Sequence, residues 1–141
     1  MNRRRFVNLF LGGSLIGAIA TLAYPVLRYL LPPRESGARV TRVTAGRTGD
    51  LAPNTAKIFR FGTAPAILIF TGQGEYKALA ATCTHLACTV RYESDSESLF
   101  CPCHNGRFDL DGHVISGPPP SPLETYKVDV VGPEIIVSVK A

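Results

Sequence analysis

The chain opens on one long apolar run and then changes period. Phe6 to Leu27 is 22 positions without a charge. At 1.5 Å rise per residue this spans about 33 Å, enough for the hydrocarbon core of a bilayer. The pattern predicts an anchor helix over 1–31, with Pro25 kinking or terminating its last turns. Ala18-Ile19-Ala20 has the small-residue character of a signal cleavage site. The apolar run, however, exceeds the core of a secretory signal, which favours an uncleaved anchor. Pro32, Pro33 and Gly37 follow. Two prolines stop a helix, so 32–38 reads as a linker between anchor and domain.

From Arg39 the pattern turns to short strands. Val40 and Val43 fall in a first strand, and Gly46 to Asn54 is rich in turn residues. Ala56 to Phe61 alternates in part. Ala66-Ile67-Leu68-Ile69-Phe70 is a continuous apolar run and predicts a strand buried on both faces. Thr71 to Glu75 reads as a hairpin turn, and Tyr76 to Ala81 as the returning strand. Val90 to Tyr92 and Ser98 to Phe100 are short strands around an acidic turn. Phe108 to Gly112 reads as a turn and His113 to Ile115 as a strand. Thr125–Val131 and Glu134–Lys140 close the chain across Gly132-Pro133. No second helix of any length is predicted. The fold class is all-β and antiparallel, behind one N-terminal transmembrane helix.

Composition changes this picture little. Net charge is +4, and Arg3, Arg4 and Arg5 supply three of those charges. The folded part is near neutral, and nothing points to nucleic acid. The arginines belong on the cytoplasmic side of a membrane, which puts the β-domain on the outer or periplasmic side. Arg3-Arg4-Arg5-Phe6 also resembles a twin-arginine export signal.

The chemistry is concentrated in one stretch. All four cysteines and two of the three histidines lie in the 22 residues from Cys83 to His104. The first box reads Cys83-Thr84-His85-Leu86-Ala87-Cys88, the second Cys101-Pro102-Cys103-His104. Thiolates and imidazoles gathered this way indicate a metal or redox site. A Cys₂His₂ zinc site usually separates like ligands by short intervals, whereas each box here offers a mixed pair. A framework of two disulfides leaves the histidines without a role. The mixed pairs suit a binuclear centre with two chemically different metals. His113 lies outside both boxes and reads as an ordinary surface residue.

These boxes resemble the cluster-binding boxes of Rieske iron–sulfur proteins, and in particular the anchored subunits of cytochrome bc-type quinol oxidoreductases. The resemblance implies that the linker 32–38 is a hinge, a simple spacer being the competing reading, and that a Rieske-type domain covers 39–141, with an inserted cluster-binding subdomain at about 82–122. It implies one 2Fe–2S cluster, one iron held by Cys83 and Cys101 and the other by His85 and His104. It also implies a disulfide between Cys88 and Cys103. That second cysteine pair is usually missing from Rieske ferredoxins and oxygenases, so it selects the quinol-oxidising branch. Leu86 and the loop Gly117-Pro118-Pro119 are expected to cover the cluster. For Leu86 local core packing is the competing reading, and for the loop a plain surface connector.

The implied function is that of an electron-transfer subunit, incomplete alone. It takes an electron with a proton from quinol, His85 or His104 meeting the hydroxyl, and passes the electron to a c-type cytochrome beside cytochrome b. Two alternatives stand beside it: the Rieske subunit of a periplasmic oxidoreductase such as an arsenite-oxidase-like enzyme, and a zinc-stabilised structural protein. The second box departs from the high-potential pattern Cys-Pro-Cys-His-Gly-Ser-x-Tyr. Gly106 stands at the serine and Phe108 at the tyrosine. Losing those hydroxyls removes hydrogen bonds to the sulfurs and lowers the potential, which makes a low-potential quinol such as menaquinol the expected donor. Asn105 stands where Gly is common, and Ala87 replaces the usual Gly of the first box.

Overall fold

The computed structural model describes residues 2–31 and 40–140. The expected hinge, 32–38, lies outside the described residues. The helix and the β-structure form two separate units.

Helix α1 runs Arg3–Leu30, 28 residues or about 42 Å, and is long and apolar enough to cross a membrane. Pro25 sits inside it, so of the kink or termination expected there, termination does not occur. Proline removes one N–H, so a single backbone bond to the preceding turn is lost. Nothing else in the local sequence opposes helix, and the apolar residues continue to Leu30.

The β-unit has ten strands in two antiparallel sheets. They are β1 Arg42–Arg47, β2 Thr55–Phe61, β3 Ala64–Phe70, β4 Tyr76–Ala80, β5 Arg91–Glu93, β6 Ser98–Cys101, β7 Gly106–Phe108, β8 Val114–Ser116, β9 Thr125–Val131 and β10 Glu134–Val139. The six-stranded sheet has the order β1-β10-β9-β4-β3-β2, and the four-stranded sheet β5-β6-β7-β8. The second sheet is therefore inserted between β4 and β9, which pair with each other through Ala78–Tyr126 and Leu79–Thr125.

Strand β3 explains how the layers meet. Side chains alternate between faces along a strand. Ala66 and Leu68 enter one core with Phe61, Tyr126, Ile135 and Val137. Ile67 and Ile69 enter the other, with Leu79, Val90, Leu99 and Phe108. Both faces of β3 are covered, which is why its sequence is apolar without alternation. The second core also contains Cys83 and Cys101, so the reactive boxes are rooted in packed structure. Polar ties join the layers at their edges. Tyr92 Oη donates to Asn54 Oδ1, Asn54 Nδ2 donates to Ser94 O at 3.2 Å, and Lys77 pairs with Asp111 at 2.7 Å.

One strand was not foreseen. Gly106–Phe108 forms β7 and pairs with β6, whereas Phe108 was expected to open a turn. Three residues are too few to show a period. The strand exists because β6 offers it a free edge and Phe108 a place in the core.

Candidate metal centre

Two loops carry the boxes. The first leaves β4 and is closed at its base by a bridge between Thr82 and Thr89. Inside it, Cys83 N donates to Cys88 O at 2.8 Å and Ala87 N to Cys83 O at 3.0 Å. This tight path requires a left-handed residue, and Ala87 takes it at φ 58°. An L-residue with a Cβ pays roughly 1–2 kcal/mol there, which Gly would avoid. The second loop is the β6–β7 hairpin, closed by the pairing of Cys101 with Gly106. Asn105 supplies its left-handed position at φ 56°, as its short polar side chain allows.

The loops bring the predicted side chains together. Cys83 and Cys101 are buried at 3% and 2% exposure and lie in one core; neither is in a disulfide. The rings of His85 and His104 meet edge to face with centroids 4.7 Å apart. His104 is exposed and His85 half-buried. Cys88 and Cys103 are joined in a disulfide, with Cα atoms 6.6 Å apart, which fastens one loop to the other.

Burial pushes the Cys83 thiol pKa up. The backbone N–H groups of His85 and Leu86 donate to its sulfur and oppose that rise, while the Cys101 sulfur adds to it. Two adjacent thiols out of water are poor places for negative charge unless a cation joins them. The Sγ atoms of Cys88, Cys101 and Cys103 also lie within 4.8 Å of one another. Two of these three are bonded to each other, so that trio is not a thiolate cage.

His85 Nδ1 tests the fit of a metal group. This nitrogen is buried and has no hydrogen-bond partner. An orphaned polar atom costs about 1–3 kcal/mol unless something takes its lone pair. A metal would do so. Two buried thiols and a second imidazole complete a donor set suited to an iron–sulfur group.

The proline loop is packed against the hairpin that carries the second box and is tied to the first. Pro119 is buried. A Cβ on Gly106 would lie 2.8 Å from Pro119 Cγ, and a Cβ on Gly117 would lie 2.7 Å from Gly106 Cα. Gly117 also has φ +97°, a left-handed conformation. Thr84 Oγ1 donates to Ser121 O at 2.7 Å, fastening the first box to the end of this loop. Leu86 is 65% exposed, which rules out local core packing. Phe108 is fully buried, in one core with Cys83 and Cys101.

Two features carried no signal in the sequence. Arg107 donates to Glu93 at 2.7 Å and to Ser98 at 3.3 Å, and lies over the Phe100 ring. It clamps the hairpin below the second box. Asp109 accepts from the N–H groups of Asp111 and His113 at 2.9 and 2.8 Å, and pairs with the His113 ring at 3.1 Å. His113 is exposed, with this contact as its tie to the turn.

A fold of two stacked antiparallel sheets, with two Cys/His loops bridged by a disulfide, defines a Rieske-type iron–sulfur protein. The family model for the Rieske [2Fe-2S] domain matches residues 41–127, and the chain belongs to that family. Its cofactor is one 2Fe–2S cluster. The chain is 38% identical over 137 residues to the cytochrome b6-f complex iron–sulfur subunit of Chlorobaculum thiosulfatiphilum, covering 96% of this chain and 75% of the relative. Among solved structures, it resembles the plasma-membrane Rieske protein PetC3 of Synechocystis PCC 6803 at TM-score 0.62 and 32% identity, covering 70% of this chain and 99% of that one. A hyperthermophilic respiratory Complex III chain matches at TM-score 0.55 and 26% identity, with 89% and 97% covered.

Proposed function

We propose that this protein is the membrane-anchored Rieske subunit of a cytochrome bc-type complex, taking an electron and a proton from menaquinol and passing the electron to a c-type cytochrome. The observation that carries the reading is the pairing of two buried free cysteines with two histidines, one exposed and one holding an orphaned nitrogen. The relatives named as cytochrome b6-f iron–sulfur subunits, and the Complex III neighbour, support the complex. In this reading Cys83 and Cys101 hold one iron, and His85 and His104 the other. When bound, the cluster supplies a one-electron couple whose reduction raises the proton affinity of the imidazoles that ligate it.

The chain's own groups do the rest. The exposed His104 and half-buried His85 present ring nitrogens to a quinol hydroxyl and hold its proton. Leu86 offers an apolar contact beside them. Gly117, Pro118 and Pro119 shield the site from water on a third side. The division is 1–31 as anchor, 32–38 as hinge and 39–141 as domain, with the cluster-binding part at about 82–122. The arginines Arg3, Arg4 and Arg5 keep the N-terminus cytoplasmic, so the domain works on the outer side.

Menaquinol is preferred because Gly106 and Phe108 carry no hydroxyl. Hydrogen bonds to sulfur stabilise the reduced state, and their absence places the midpoint in the lower half of the Rieske range of about −150 to +300 mV. The test is potentiometric titration of the full chain in detergent at several pH values. The midpoint is expected to be low and to fall with alkaline pH, because the proton is taken up together with the electron. A midpoint near the top of the range refutes the menaquinol assignment, and one that does not move with pH refutes proton-coupled transfer.

A further inference from the structure

Cys101 stands between two sulfur partners. One is Cys83, which shares its buried core. The other is the Cys88–Cys103 disulfide. The sulfurs of Cys88, Cys101 and Cys103 are all within 4.8 Å of one another, while Cys101 is free. Disulfides exchange when a thiolate attacks one of their sulfurs. A thiol held this close meets its disulfide at an effective concentration that no dissolved thiol reaches. Burial of Cys101 excludes outside thiols but not its neighbour.

We propose that Cys101 is an internal nucleophile toward the Cys88–Cys103 disulfide, and that engagement of Cys101 by the cluster is what preserves the native pairing. This rests on the ligand assignment above. In the exchange, Cys101 Sγ attacks Cys88 Sγ. The Cys101–Cys88 bond forms as Cys88–Cys103 breaks, and Cys103 leaves as a thiolate. The proton given up by Cys101 ends on Cys103, and no oxidant or reductant is consumed. Attack at Cys103 is the minor route, because that bridge would close across Pro102 alone. Either product removes a ligand thiol from the site. A chain that loses its cluster thus locks itself against taking up another until the exchange reverses.

The experiment follows cysteine pairing in the full chain in detergent micelles. Cluster-loaded and chelator-stripped samples are held at pH 8 without added thiol, quenched with iodoacetamide at intervals, and mapped by peptide mass spectrometry. In the loaded chain Cys83 and Cys101 stay unlabelled and the disulfide persists. In the stripped chain label accumulates on Cys103 as Cys101–Cys88 peptides appear, at a rate independent of protein concentration. Cluster-free Cys101→Ala should lose its native disulfide at least about tenfold more slowly than stripped wild type, whereas cluster-free Cys83→Ala should still exchange. The proposal is overturned if stripped wild type keeps Cys88–Cys103 with label on Cys83 and Cys101 alone. It is also overturned if Cys101→Ala exchanges as fast, or if the rate scales with protein concentration. Labelling of Cys83 or Cys101 in the loaded chain defeats the ligand assignment instead, which separates the two failures.

Discussion

Restoring a hydroxyl at position 108 tests the tuning argument most directly. Phe108 is fully buried and shares a core with Cys83 and Cys101. Phe108→Tyr adds one oxygen to that core. If the hydroxyl donates to a ligand sulfur, the bond favours the reduced cluster by roughly 1–2 kcal/mol, which raises a one-electron midpoint by about 40–90 mV. If it finds no partner, the same hydroxyl costs about 1–3 kcal/mol of stability and leaves the potential unchanged. Gly106→Ser is predicted to behave differently. Its Cβ would lie 2.8 Å from Pro119 Cγ and 3.1 Å from Cδ, and the proline ring has few ways to yield. Gly117 already presses its own backbone against Gly106. Overpacking of this kind costs about 1–3 kcal/mol. The assay is potentiometric titration of each single variant beside thermal unfolding. Phe108→Tyr should raise the midpoint with little loss of stability, and Gly106→Ser should lose stability with a smaller rise. The reasoning fails if Phe108→Tyr leaves the midpoint unmoved, or if Gly106→Ser raises it fully at no cost in stability.

Three further outcomes are expected. Ala87→Gly should stabilise the protein by about 1 kcal/mol, since Gly takes φ 58° without the Cβ penalty; a melting temperature equal to or below wild type contradicts this. Replacing Cys88 and Cys103 together by alanine opens a loop with sequence separation 15 and should cost about 3 kcal/mol in chemical denaturation. A loss below about 1 kcal/mol would show that the loops hold together without the bridge. The pKa of Asp109 is lowered: burial acts to raise it and is outweighed by the His113 and Asp111 N–H groups and the His113 ring. Its contribution to stability is therefore present above the ordinary value of 3.8 and lost as pH falls through the depressed one. Asp109→Asn should flatten that acid limb in an unfolding series from pH 5 to about pH 2, and an unchanged limb would assign it to other carboxylates.

What could be read from the chain was local. The charge-free run from Phe6, the unbroken apolar stretch of β3 and the two Cys/His boxes each state their character within a few residues. Periodicity, length and ligand type are properties of neighbours in sequence, so they survive without a fold. What required the folded chain was every close approach between distant residues. β7 forms because β6 leaves an edge for it and the core accepts Phe108, and three residues announce neither. Pro25 forbids one hydrogen bond, but the bonds on either side outweigh it and α1 continues to Leu30. Gly106 and Phe108 both read in sequence as missing hydroxyls. In the fold, Phe108 is a buried side chain of the cysteine-bearing core, and Gly106 is the space into which Pro119 fits. Packing distances between loops belong to no single segment, and the space around each of these positions is set only when the loops meet.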